Sequence, residues 1–345
     1  MRLKSTSRET GEIMNGRLRA LWRGMTLVVG IGITQFSWAG RSNYQEMYVF
    51  GDSLSDTGNA FVATTAQKML PALPPSVSPH ATYWQGRFAN GPVAAEYLWD
   101  LMNRKNGSEL TPSLTLSSRV SKAGVSFAFG GSTSGISSMS PLGFMVPGLL
   151  GQVELFSTHL VGKGAPANAL YVVWSGSNDY LQRMTSTPSD VVGNVAASLR
   201  QLYAMGARSF LVPNLPDMGI TPFVQAQGAA AALTQLSQGH NALLSATLAS
   251  LSQELPAARI VSLDVFALGA ALAASGQAST DRPALEYLAR GTGAADCLFR
   301  NPATCVNVNF SAFLPPFLFW DVMHPTTQIH GLIGSAMFNA LQKQN

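Results

Sequence analysis

Five short apolar runs, each broken by turn-forming residues and separated from the next by helical patterns, constrain this chain most. The runs are Tyr48–Phe50, Gly124–Phe129, Ala169–Trp174, Ser209–Val212 and Arg259–Asp264. They stop at Gly51, at Gly130-Gly131, at Ser175-Gly176, and at Pro213-Asn214. Short apolar runs bounded by such residues read as buried strands. Between them, apolar positions recur at helical spacing from Pro92 to Met102, Leu149 to Leu160, Ser189 to Met205 and Ala226 to Leu255. Shorter patterns at Val265–Ala274 and Thr326–Leu341 follow. Pro92 suits a first helical position, Gly206 a C-terminal cap, and Pro256 stops the longest pattern. Strands alternating with helices predict a parallel sheet covered on both faces. Residues 61–91, 103–122, 132–148 and 275–315 read as loops or irregular segments.

The first 39 residues stand apart from this pattern. Arg2, Lys4, Arg8, Arg17, Arg19 and Arg23 precede an apolar stretch from Gly24 to Phe36, and Ser37-Trp38-Ala39 supplies small residues where a signal peptidase cuts. This is the layout of a secretory signal peptide cleaved after Ala39, with an uncleaved anchor as the alternative. Residues 40–345 are then expected to form a single domain. The whole chain holds 22 Lys+Arg and 18 Asp+Glu. Removing the leader, with its six basic residues and the acidic Glu9 and Glu12, leaves 16 of each sign. A neutral mature chain without basic runs offers no electrostatic footprint for nucleic acid. No later stretch is long and apolar enough to span a membrane. Cys297 and Cys305 are the only cysteines. In an exported protein they are expected to close a disulfide, and with no histidine nearby they make a poor zinc site.

Two stretches carry candidate chemistry. Tyr48-Val49-Phe50-Gly51 delivers Ser53 to the end of a strand, where ligands bind in open α/β sheets; a serine-rich turn is the alternative. Near the other terminus, Asp321 and His324 stand three residues apart before Pro325. In that spacing a carboxylate can fold back on the imidazole, fix its tautomer and stabilise its protonated form, as a base beside a serine requires. A capping Asp and a packed His remain the alternative.

Taken together, five blocks resemble the GDSL esterase/lipase family, the SGNH hydrolases: Phe50–Asn59 (FGDSLSDTGN), Gly86–Pro92 (GRFANGP), Ser126–Gly131 (SFAFGG), Trp174–Asp179 (WSGSND) and Asp321–Pro325 (DVMHP). The resemblance implies a three-layer α/β/α fold with a mostly parallel five-stranded sheet, flavodoxin-like. It implies Ser53 as nucleophile, His324 as base and then acid, and Asp321 as the residue orienting His324. The oxyanion donors would be the backbone N–H groups of Ser53 and Gly131 and the side-chain amide of Asn178. No metal and no cofactor are implied. Ser126 stands where the family usually has Asn, which predicts a local hydrogen-bond change. Asp52, Asp56 and Asp179 are read as structural, and His80, His159, His240 and His330 as packed or surface histidines.

Within the family the blocks are most similar to exported bacterial lysophospholipase A and glycerophospholipid acyltransferase-like enzymes. The expected substrate is an acyl ester, a phospholipid or lysophospholipid, resolved by water or by an alcohol, in the periplasm or outside the cell. Apolar segments at Leu314–Trp320 and Met139–Leu150 would suit an acyl chain or peripheral contact with a lipid surface, or simply core. An esterase for short or sugar-linked acetyl groups, and a non-catalytic binding protein on the same fold, are the competing readings.

Overall fold

The computed structural model describes residues 44–103, 109–116, 123–280, 282–288, 294–312 and 314–343. The leader expected at residues 1–39 lies outside them. Eight strands form among the described residues: β1 (Met47–Gly51), β2 (Thr111–Pro112), β3 (Gly124–Ser126), β4 (Ser137–Met139), β5 (Met145–Pro147), β6 (Leu170–Trp174), β7 (Ser209–Pro213) and β8 (Arg259–Leu263). Six of them build one parallel sheet in the order β2-β3-β1-β6-β7-β8, while β4 and β5 form a separate antiparallel hairpin.

The sheet thus has six strands where five were expected. The sixth, β2, is a two-residue edge strand that pairs Thr111 with Val125 and Pro112 with Ser126. It carries no apolar run, and its proline is tolerated because an edge strand leaves one side unpaired. Only the pairing makes it a strand.

Side-chain alternation along the strands splits the interior into two cores. Tyr48, Phe50, Tyr171, Val173, Phe210 and Val212 face one side, where they pack on α3 (Leu149–His159), α5 (Pro188–Met205) and α7 (Ala230–Glu254). Met47, Val49, Leu170, Val172, Trp174 and Leu211 face the other, against α2 (Ala94–Met102), α8 (Val265–Ala274) and α11 (Thr327–Lys343). Truncating a ring such as Phe156, fully buried between Tyr48, Phe50 and Phe127, costs about 3–5 kcal/mol. The expected three layers are present.

Some boundaries move for local reasons. The long helix read from Ala226 to Leu255 is the single helix α7, which starts later, at Ala230: Ala226 ends the short α6 (Pro222–Ala226), and Gly228, whose φ of +68° a helix cannot use, separates the two. The loop-like stretch after residue 59 opens with α1 (Asn59–Ala66), and residues 132–148 contain the β4–β5 hairpin. The segment 275–315 contains the short helices α9 (Ala284–Leu288) and α10 (Cys297–Arg300). Cys297 and Cys305 are joined as a disulfide, with Cα atoms 5.2 Å apart. No described helix is long and apolar enough to cross a membrane.

Candidate active site

Because the six sheet strands run parallel, the ends of β1, β3 and β6 emerge on one edge. From β1 the chain turns at once: the Asp52 Oδ1 accepts from Leu54 N at 3.0 Å, and the Asp52 carbonyl from Ser55 N at 3.0 Å. That turn presents Ser53. The strand can approach β6 this closely only because residue 51 is glycine; a Cβ there would lie 2.2 Å from the Trp174 carbonyl oxygen.

His324 Nε2 lies 2.9 Å from Ser53 Oγ, and His324 Nδ1 lies 2.7 Å from Asp321 Oδ2. A carboxylate only accepts, so Nδ1 carries the proton and Nε2 faces the serine hydroxyl as acceptor. The other carboxylate oxygen, Asp321 Oδ1, accepts from the backbone N–H groups of Met323 (2.7 Å) and His324 (2.6 Å), which is how a three-residue spacing folds back on itself. Asp321 is fully buried and His324 nearly so. Phe88 and Phe299 pack on the imidazole, with ring centroids 5.2 and 6.0 Å away.

Three donors surround the serine. Asn178, in α4 (Ser177–Leu181) just past β6, donates one Nδ2 hydrogen to the Ser132 carbonyl at 2.9 Å, and its second meets no acceptor among the described residues. Neither the Ser53 nor the Gly131 N–H meets an acceptor among the described residues. Gly131 takes φ +85°, where a side chain is strained, and a Cβ would lie 2.7 Å from Ser140 Oγ. Ser53, Gly131, Asn178 and His324 line one cleft of about 470 Å³. Unspent N–H donors in a mostly apolar cleft are what a developing oxyanion needs. The five residues singled out in the sequence, Ser53, Gly131, Asn178, Asp321 and His324, are therefore brought to one edge of the sheet or its immediate backing.

Buried polar side chains tie the blocks together. Asp56 accepts from Gly58 N, Asn59 N and Ala60 N, opening α1, and from Gly130 N at 2.8 Å. Asn59 Nδ2 donates to the Ser126 and Ala128 carbonyls. Ser126, the departure from the usual Asn, donates its hydroxyl to the Ser55 carbonyl at 2.9 Å, so it still braces the serine turn. Arg87 makes a bidentate pair with Glu96, while Asn90 accepts from Thr327 N at 2.8 Å, anchoring the helix that follows His324. Asp179 accepts from Ser134 N and Oγ. Burial pushes the Asp52 and Asp56 carboxyls up to about 6, against the N–H groups that favour their ionised forms. The four other histidines stand apart from the serine: His80 meets the Cys305 carbonyl, His159 packs on Phe127, His240 on Tyr180, and His330 accepts from Ala94 N.

Two residues at the site had no reading in the sequence. Tyr83 donates its hydroxyl to Asp321 Oδ2 at 2.6 Å. Gln152, buried on α3, accepts from Gly51 N and donates to the Gly51 carbonyl, both at 2.8 Å, and also reaches Ser132 Oγ. The only signal for Gln152 was a polar residue on the inward face of an apolar helix.

A parallel sheet carrying these groups on its carboxyl edge places the chain among the ester hydrolases. It belongs to the GDSL-like lipase/acylhydrolase family, whose model matches residues 47–337. A GDSL esterase/lipase of Arabidopsis thaliana is 25% identical over 382 residues, covering 94% of this chain and 98% of the relative. A phosphatidylcholine-sterol acyltransferase of Aeromonas hydrophila is 29% identical over 207 residues, 59% of this chain and 54% of that enzyme. The chain thus spans about half the length of that acyltransferase. Among solved structures, a lipolytic G-D-S-L family protein of Veillonella parvula is similar at 10% identity, covering 86% of this chain and 96% of its own, with a TM-score of 0.42.

Proposed function

We propose that the protein is an exported serine esterase acting on acyl esters of phospholipids or lysophospholipids. The observation that carries this reading is the hydrogen-bonded line from Ser53 through His324 to Asp321, with unspent donors beside the serine. A serine hydroxyl is a poor nucleophile until a base takes its proton. Ser53 Oγ attacks the ester carbonyl as its proton passes to His324 Nε2, and Asp321 steadies the imidazolium. The alkoxide that forms is held by Ser53 N–H, Gly131 N–H and the second amide hydrogen of Asn178. His324 then protonates the departing alcohol, leaving an acyl group on Ser53. Water, activated by the same histidine, attacks the acyl-enzyme and releases the carboxylic acid and the free serine.

The lipid part of the reading rests on two supports. The cavities at Ser53 are walled largely by apolar side chains, among them Leu318, Phe319, Leu142 and Phe223. The similarity to a phosphatidylcholine-sterol acyltransferase adds that an alcohol could replace water in the second half-reaction. The basic and apolar leader at residues 1–39 is the ground for export, to the periplasm or beyond.

Labelling with a fluorophosphonate tests the mechanism: wild type should label and Ser53→Ala should not. An unlabelled wild type, or equal labelling of the variant, overturns it. Turnover of lysophosphatidylcholine against p-nitrophenyl acetate tests the substrate; activity confined to acetyl esters would favour the short-chain esterase instead.

A further inference from the structure

Two cavities open on Ser53, and they differ in character. The first, about 90 Å³, runs from Ser53 and His324 between α8 and α11. The second is the wider cleft of about 470 Å³ that holds Gly131; polar Gln182 and Ser140 line it, and the exposed Met139 and Met184 stand on its rim.

The wall that α8 gives the first cavity has a pattern. All ten residues of α8 are apolar, VFALGAALAA. Val265, Leu268, Gly269 and Leu272, spaced i, i+3, i+4 and i+7, line the slot, while Ala267, Ala270 and Ala271 face outward and are exposed. Ile329 and Ile333 of α11 close the opposite side. Two polar residues in the walls have partners outside the slot: Asp217 Oδ1 accepts from Gly219 N and Thr234 Oγ1, and Thr221 donates to the Met218 carbonyl. The remaining lining along α8 and α11 is apolar.

Gly269 is the notch in this wall. A Cβ built there meets no atom within 4 Å, although the residue sits on the inward face of its helix. Glycine in a helix interior is ordinarily a cost relative to alanine, and no positive φ requires it here. The space it leaves belongs to the slot.

We infer that the α8–α11 slot receives the acyl chain of the ester and that Gly269 sets how long a chain it takes, the wider cleft being left to the alcohol portion. The inference rests on the serine-esterase reading above. At about 90 Å³ against about 470 Å³ for the cleft, the slot is the narrower of the two, so the chain it takes has an upper limit of length.

The test is a series of p-nitrophenyl esters from acetate to palmitate, with wild type, Gly269→Leu, Gly269→Ala and Ala270→Leu. Wild-type kcat/KM should rise with chain length beyond acetate and fall once the chain outgrows the slot. Gly269→Leu should lose about tenfold or more at the wild-type optimum and stay within about twofold on acetate and butyrate. Gly269→Ala, which adds one methyl and favours the helix, should shift the optimum to shorter chains and covers the case in which the leucine variant fails to fold. Ala270→Leu, on the outer face, should match wild type. An unchanged chain-length profile in both Gly269 variants overturns the assignment, as does an equal loss at every chain length in a variant whose Tm is normal. A wild type that neither hydrolyses any ester nor takes up fluorophosphonate instead overturns the serine-esterase reading itself.

Discussion

Tyr83 and His324 donate to the same atom, Asp321 Oδ2, from 2.6 and 2.7 Å. The carboxylate that orients the histidine is thus itself held and partly discharged by a buried phenol. Burial and the neighbouring carboxylate push the Tyr83 hydroxyl well above its ordinary range, so it stays a donor at any working pH. In Tyr83→Phe, Oδ2 shares its charge with one donor fewer and stabilises the His324 imidazolium more. Since the protonated imidazole is inactive as a base, the acidic limb of the kcat/KM profile should move to higher pH. A hydrogen bond to a charged group is worth about 1.5–3 kcal/mol, so stability should fall as well. Loss of stability with an unmoved limb would leave Tyr83 a purely structural residue.

Asn178 should behave as a donor to developing charge. Asn178→Ala is expected to lower kcat by about 10²–10³ with KM changed far less, because the interaction matters most in the transition state. Steady-state kinetics on one ester decides it; a loss confined to KM would remove Asn178 from the oxyanion hole.

The disulfide closes a loop with a sequence separation of 8, and chain-entropy bookkeeping gives such a loop about 2–3 kcal/mol. Cys297→Ser with Cys305→Ser should lower the urea-unfolding free energy by that amount. The loop also carries Phe299, stacked on His324 and packed near Phe223, so kcat should fall with it. Two titratable thiols in the native protein would refute the pairing.

His330 is fully buried, and its pKa is pushed down to about 3, mainly by desolvation and secondarily by His324. From pH 6.5 down to about 3 the unfolded chain therefore binds a proton there that the folded chain refuses. Stability contributed by this site is full above the unfolded pKa and falls as pH drops, at about 1.4 kcal/mol per unit. Asp52 and Asp56, raised from 3.8 to about 6, act in the opposite sense between those two values, in the middle of that window, because the folded state holds their protons more tightly. The contribution of His330 is best read by difference. Relative to wild type, His330→Gln should gain about 1.4 kcal/mol for each unit that pH is lowered below 6.5 in urea melts. A difference independent of pH would mean that His330 is charged in the native protein.

The order of strands and helices, the two-sided core and the residues around Ser53 were legible because each leaves a local mark. Short continuous apolar runs, helical spacing and glycine-bearing turns are written within a few residues, and the five blocks occur in order along the chain. That neighbours such as Val49 and Phe50 face opposite sides of the sheet follows from parity alone. The roles of Tyr83 and Gln152 were not legible, since a hydrogen bond across 238 or 101 positions leaves no mark in either neighbourhood. Nor was β2, a strand only because β3 lies beside it. By itself the sequence determined that a serine ends a strand, that a histidine and an aspartate stand near the far terminus, and that the chain alternates strand and helix. Tertiary structure alone decided that these groups meet at 2.9 and 2.7 Å, and that a slot and a wider cleft share one serine. The reason is physical: propensity and periodicity act over a turn or a strand, whereas a hydrogen-bonded triad and a cavity exist only where distant segments pack.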